Sequence, residues 1–468
     1  MFVCFPHPSS FFPRIKAMNC HSQRATAFLA VALSFFAASC ATAPDVQPRV
    51  NSLVVAQQLD MATAALGDNP AIYGKNNELL YWLDRGMVDQ CAGRYSDSIH
   101  AFAQAQQRFD ELYTKSITKL TSAWALNDYA APYRGEDYEY TLVNIFQAIN
   151  YVMTGNYNEA LVEARDMDSK LNLINSLYAG KNVYKEDAFG RFFMGILYEV
   201  NGTPADLNDA FISYSRAYED YTKQGGENFG VQAPDLLKEN LLTMAQFMGN
   251  EQFAHYRAEF PDVQLLTLDD KNKKAEVYLV QYTGFSPVKV SGVVPIPFDP
   301  RHVTQIAFPK FISRYSEIVS SELSAAKTDQ LAFVQSTFIG QDIAAIAQSV
   351  LDSRKVQIFA KAVARPVVKY AAERVVEKKI EDKWGDVAAY GFDFLSSLYN
   401  LSTERADLRS WQTLPAQIRV ARLLLDPGEY EFFVQTYTHN NRFLNKVSLG
   451  KSTLEAGEKK FFVFRNYR

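Results

Sequence analysis

The sequence predicts an α+β protein of several domains, with paired helices in the N-terminal half and a small β-sandwich, interrupted by a helical insertion, in the C-terminal half. Three observations predict it. Residues 50–262 keep a helical period with glycines and small residues at hairpin spacing, and at Phe260-Pro261 that period gives way to β-branched and aromatic runs. From 317 to about 401 the composition turns helical again, rich in Ala, Val, Glu and Lys, before strands resume near Pro415. The segments follow as 51–262 (helices), 263–315 and 406–468 (two parts of a β-domain) and 316–405 (the insertion), preceded by 1–39 and 40–50.

With 468 residues, 48% of them hydrophobic, the chain has enough apolar material for about three domains at roughly 150 residues each. A net charge of -4 supplies no basic face for nucleic acid, so that class of partner is set aside. Of Cys4, Cys20, Cys40 and Cys91, only Cys91 falls inside the folded body, where no disulfide framework or zinc site can be built from it; it reads as a small buried helix residue. The histidines have no metal-ligand spacing, and the chain carries no phosphate-binding glycine loop or nucleophile elbow. No cofactor or metal is expected.

Residues 21–40 hold one cation, Arg24, then an apolar run over 25–38, the pattern of a signal peptide too short to span and stay. Pro6, Pro8 and Pro13 make a long lead, and Met18 reads as the real start. The ending Ala37-Ala38-Ser39-Cys40 resembles the bacterial lipobox, which implies a lipid on Cys40; Ala41 in place of Asp implies the outer membrane, with the body facing the periplasm. Residues 42–49, with Pro44 and Pro48, form a tether.

The helical half begins at Leu53. Trp82, Gly86, Gly93, Tyr95, Phe102 and Ala105 fall at the spacing of a tetratricopeptide unit, with Ser98 at the helix crossing where Ala is usual. A second hairpin over 132–171 places Gly155 and Tyr157 at its turn and Ala160, Leu161 and Ala164 between the helices. Ala210, Tyr214 and Ala217 suggest a third unit, and Leu241, Leu242, Ala245, Gly249 and Phe253 a fourth. A helix near 106–127 and a polar loop separate the first two units, so the array is degenerate.

In the β-domain, 275–282, 288–296 and 303–308 read as strands. Segments 418–425 and 430–437 read as a hairpin through Asp426-Pro427-Gly428, and 447–449 with 460–464 as the next pair. Short antiparallel strands in series suggest an immunoglobulin-like or transthyretin-like sandwich.

Two clusters carry chemistry. The loop Tyr133, Arg134, Gly135, Glu136, Asp137, Tyr138 and Glu139 offers carboxylates for acid/base work on a glycan, or acids that merely complement a helix N-terminus with Arg134 clamping one of them. Asp407, Arg409 and Trp411 could line a ligand site, or could lock the return to the sheet with Trp411 plugging the domain seam. The helix over 354–379 is basic, with Lys361, Arg365 and Lys369 on one face and Phe359, Val363 and Val367 opposite; such a helix can lie on an anionic membrane or bind an acidic polymer, and Pro366 should bend or divide it.

Across most of the mature chain, Pro132 to Glu139 with Ala148-Ile149-Asn150-Tyr151, the turn and helix from Gly155 to Arg165, Gly284 with Pro287-Val288-Lys289, and Ala406 to Trp411 with Leu414-Pro415 resemble a family of Gram-negative outer-membrane lipoproteins with tetratricopeptide-like N-terminal halves. The resemblance implies architecture and location, and work in envelope assembly beside lipoproteins that regulate cell-wall synthesis. It implies no activity. The expected role is therefore a non-enzymatic adaptor, anchored through Cys40, whose concave helical face binds envelope proteins. The alternatives are a cell-wall-acting enzyme using Glu136, Asp137 or Glu139, and a carrier of lipid or acidic polymer.

Overall fold

Eleven α-helices precede the first strand among the residues that the structure, a computed structural model, describes: 46–118, 131–223, 229–297, 303–327, 330–384 and 405–467. The expected leader, Met18, Cys40 and the tether up to residue 45 lie outside them. The helices are α1 (Val46–Val55), α2 (Leu59–Leu66), α3 (Glu78–Cys91), α4 (Tyr95–Thr118), α5 (Asp137–Met153), α6 (Tyr157–Leu177), α7 (Ala188–Asn201), α8 (Pro204–Thr222), α9 (Asp235–Met248), α10 (Asn250–Glu259) and α11 (Leu268–Lys273). They pair in sequence as hairpins: α3 with α4, α5 with α6, α7 with α8 and α9 with α10.

Small residues set how closely the pairs approach. A Cβ on Gly86 of α3 would lie 2.4 Å from the Phe102 ring of α4, and one on Gly195 of α7 would lie 2.4 Å from Tyr214 of α8. Ser98, the departure from Ala at the first crossing, donates its hydroxyl to the Gly86 carbonyl at 2.7 Å and so satisfies a buried polar group there. Ala160, Ala210 and Ala217 are fully buried at the later crossings. The expected separate helix near 106–127 is instead the continuation of α4, unbroken from Tyr95 to Thr118, with 119–130 outside the described residues.

The C-terminal half contains β1 (Ala275–Thr283), β2 (Val288–Pro297), β3 (Val303–Ile312), β4 (Ser320–Lys327), β5 (Gln330–Ser336), β6 (Phe338–Asp342), α12 (Ile343–Trp384), β7 (Gln417–Leu425), β8 (Gly428–Tyr437), β9 (Phe443–Leu454) and β10 (Lys459–Asn466). One sheet runs β10-β1-β7-β6, a second runs β5-β4-β8-β9, and β2 with β3 forms a separate ribbon. Strand β1 is parallel to β10 and antiparallel to β7. It is buried along its whole length because both its faces are covered. Val277 and Leu279 pack with Leu323, Phe432 and Val434 of the second sheet. On the other face Tyr278, Val280 and Tyr282 join the core of the helices. The order of layers is thus helices, sheet, sheet, and α5, in the middle, buries all of its 17 residues except Tyr151 and Met153.

Four expectations are corrected. Strands β4, β5 and β6, over 320–327, 330–336 and 338–342, stand where helix was expected; Ser-Ser-Glu-Leu-Ser-Ala-Ala carries little β-branched content, and pairing of β4 with β8 overrides its local preference. The segments flanking Asp426-Pro427 do not form a hairpin: β7 belongs to the first sheet and β8 to the second, so the chain changes layer at that turn. Likewise β9 pairs with β8 whereas β10 pairs with β1, so those two strands are not partners. Finally, α12 runs as one helix of 42 residues, and Pro366 lies within it rather than dividing it.

Gly86→Ala should force the Phe102 ring out of place and cost about 1–3 kcal/mol, read as a lower denaturation midpoint at unchanged m-value. An unshifted midpoint would show that the first pair is not closely packed at this crossing.

Candidate functional site

Loop 131–136 and the first turn of α5 build one half of the site. Gly135 has φ +77°, a left-handed conformation, and a Cβ there would lie 2.2 Å from Phe109, so only glycine fits this turn. The turn places Glu136 at the helix N-cap and Glu139 three residues on, where a Glu139 oxygen accepts from the Glu136 amide at 3.0 Å. The same carboxylate also accepts from the Tyr133 hydroxyl at 2.6 Å and from the Trp411 amide at 2.8 Å.

The other half is the irregular strap 405–415, which enters β7. Its indole ring meets Phe102 edge-on at 5.8 Å and Phe146 at 5.6 Å, and Trp411 is 1% exposed. Thr413 donates to Asp84 at 2.7 Å, and Gln47 and Tyr73 donate to the same buried carboxylate at 3.0 and 2.9 Å. Arg409 holds Asp407 at 2.7 Å, donates to the Ala131 carbonyl at 2.9 Å and stands 5.4 Å over the Tyr133 ring. Toward the sandwich, the strap accepts from Arg314 at the Gln412 carbonyl, 2.5 Å, and from the Ser286 amide at the Leu414 carbonyl, 2.9 Å.

Lys289 of β2 and Arg354 of α12 close the seam on Glu136, at 2.5 and 2.9 Å, and Arg354 also pairs with Asp137. The residues singled out in the sequence therefore come together: Tyr133, Glu136, Glu139, Asp407, Arg409 and Trp411 meet in one seam, and Gly135 shapes its turn. Arg134 is exposed, and its charge helps hold Glu136 ionised from a distance, without the clamp expected of it. Cys40 lies outside the described residues.

Burial alone would raise the Glu136 carboxyl, but Lys289 and Arg354 hold it down to about 2. Burial pushes Glu139 up to about 7, helped by the Glu136 charge and opposed by the donors from Tyr133 and Trp411. A carboxyl pair with divergent pKa is the pattern of an acid and a base. Here both Glu139 oxygens accept from donors of the seam and its side chain is fully buried, so this carboxyl ties the halves of the seam together.

The sequence pointed to neither Lys289 nor Arg354 as partners of Glu136, nor to a second buried cluster. Glu199 of α7 and Glu276 of β1 lie among Lys271, Lys459 and Arg422; Lys271 reaches Glu199 at 2.6 Å and Glu276 at 3.4 Å, and Arg422 bridges Glu276 at 3.3 Å to Glu239 of α9 at 2.6 Å. Despite burial, the neighbouring lysines hold Glu199 and Glu276 below the usual carboxylate range. Three carboxylates meet three cations, and the only hint in the sequence is a lone acid in each of two apolar runs, Phe-Met-Gly-Ile-Leu-Tyr-Glu and Glu-Val-Tyr-Leu-Val.

Two members of this cluster, Glu239 and Arg422, reach the wall of an open cleft of about 830 Å³ between α8, α9, loop 259–264, the β5–β6 junction and β7. Asp235, Glu239, Glu259 and Asp262 line it against Lys238 and Arg422. On α12, Arg354 is committed to the seam, while the side chains of Lys361, Arg365 and Lys369 lie outside the described residues, so the basic stripe has no described face. Among the described residues no helix is long and apolar enough to cross a membrane, and no group of three His, Cys, Asp or Glu side chains stands where it could hold a metal ion. No family model matches the chain, and no curated protein matches it.

The Glu139 pKa of about 7 lies above the 4.5 of a free side chain, so folding favours its protonated form. Stability from this group is complete below about pH 4.5 and is lost as pH rises through about 7, a change of about 3 kcal/mol. Asp84, pushed up by burial to about 6, acts in the same sense. Denaturant unfolding between pH 5 and 8 should therefore show falling stability, with a shallower slope in Glu139→Gln; parallel curves for the two proteins would contradict the assignment.

Proposed function

We propose that the chain is a non-enzymatic adaptor of the cell envelope, lipid-anchored in the outer membrane through Cys40 and binding another protein from the periplasmic side. The observation that carries this reading is the 830 Å³ cleft at which helices and sandwich meet, a volume within the roughly 300–1,000 Å³ of ligand sites. Its walls carry four carboxylates, Asp235, Glu239, Glu259 and Asp262, against two cations, Lys238 and Arg422. The closely approached helix pairs support a tetratricopeptide-like origin for the N-terminal half, and the two stacked sheets support a sandwich of immunoglobulin-like or transthyretin-like kind. The lipobox-like end at Cys40 and the family resemblance support the location.

Binding through the repeats takes a particular form in this reading. Tyr282 and Phe461 of the sandwich lie against Phe146 of α5 and Phe193 of α7, and Phe338 against Phe192. The inner faces of those helices are thus filled from within the chain. What is left for a partner is the cleft edge and the outward side of the second helix of each pair.

Labelled palmitate should enter the native chain and not Cys40→Ala, and crosslinking in intact cells followed by purification should recover a defined envelope protein. Equal labelling of both chains would remove the anchor; recovery of no partner would remove the adaptor.

A further inference from the structure

The cleft has one wall that is itself an interaction motif. Strand β5 ends its sheet, and among the described residues no strand pairs with its second edge. Protein edges are usually blunted by charge, proline or a covering element. The sequence of β5, Gln-Leu-Ala-Phe-Val-Gln-Ser, has no charged residue and no proline, and Phe333 and Val334 are 37% and 46% exposed. Its last two residues, Gln335 and Ser336, line the cleft.

Charge decides what fits beside that edge. Both cations of the cleft are already engaged: Lys238 holds Asp235 at 2.8 Å, and Arg422 holds Glu239 and Glu276. Glu259 accepts from the Tyr218 hydroxyl at 2.8 Å and has the His255 imidazole 3.8 Å from its other oxygen, and Asp262 is exposed at the rim, so the lining of Asp235, Glu239, Glu259 and Asp262 carries two more acids than its cations Lys238 and Arg422 balance. Val263 and Phe338 add half-buried apolar surface between the edge and these acids. Resting on the adaptor reading above, we propose that the cleft seats an extended basic segment of a partner polypeptide, which adds to β5 as a further strand and directs alternate Lys or Arg side chains toward Glu259 and Asp262. Backbone pairing supplies the affinity and the two acids select the charge.

The test uses the full-length protein in detergent and three fluorescein-labelled octapeptides: alternating Lys-Val, alternating Glu-Val, and alternating Lys-Pro, whose prolines remove backbone donors. The Lys-Val peptide should bind, weaken at raised salt, and lose roughly fivefold for each of Glu259→Gln and Asp262→Asn, changes at surface groups that should leave the thermal midpoint in place. Amides of 333–336 should gain protection from hydrogen exchange on binding. The Glu-Val and Lys-Pro peptides should bind at least about tenfold more weakly, the first for want of charge and the second for want of pairing.

Equal binding of the Glu-Val peptide, indifference to both substitutions, or unchanged exchange over 333–336 would overturn the proposal. So would a concentration-dependent dimer that blocks the peptide, which would make a second copy the occupant. A crosslinked envelope partner retained by the Glu259→Gln/Asp262→Asn protein would sink this inference and leave the adaptor standing; loss of every partner from the native protein would remove the adaptor itself.

Discussion

Glu139 is a buried carboxylate whose hydrogen bonds come from three places at once: the turn before α5, the start of α5 and the strap 405–415. An acid in that position is tolerable only if all its donors arrive together, because each one missing leaves a desolvated oxygen that costs about 1–3 kcal/mol. The same holds for Asp84, which needs Gln47, Tyr73 and Thr413. The strap thus completes polar groups that the helical half buries but cannot satisfy. Trp411, in its box of Phe102 and Phe146, adds the apolar part of the same closure.

The second buried charge cluster repeats the logic with ions. Glu199 and Glu276 would be expensive to bury singly, and the three cations that compensate them come from α11, β7 and β10. Buried ion pairs of this kind add little net stability over apolar packing, and removing one partner costs far more than the pair contributes. Their effect is on geometry: they fix the sheet against α7 and α9 and so fix the wall of the cleft. A recognition surface assembled from two halves needs that rigidity to keep its shape.

Much of the helical half was legible in the sequence because its signals are local. Gly86, Gly155, Ala160 and Ala217 are small for a reason that acts within one hairpin, and each lies at a helix crossing or a turn. The β-half was legible only strand by strand. Asp426-Pro427-Gly428 marks a reversal, but turn chemistry does not say whether the next strand returns to the same sheet, and here β8 joins the other one. Strands β4 and β5 were hidden because their Ser, Ala and Gln content becomes strand only by pairing, β4 with β8 and β5 with β4. The two candidate clusters were each found but read separately; that Glu139 and Trp411, 272 residues apart, touch is a property of the fold and leaves no mark at either position. The cleft draws residues from Tyr218 to Arg422 and has no sequence signature.

If the strap is what joins the two halves, the Trp411 amide reaches water only when they separate. Native-state hydrogen exchange at that amide tests this directly: its opening free energy should equal that of the slowest amides in α5 and β1, all released in one global event. Exchange at Trp411 through a much easier local opening, with α5 and β1 still protected, would show that helices and sandwich are held together by something other than this contact.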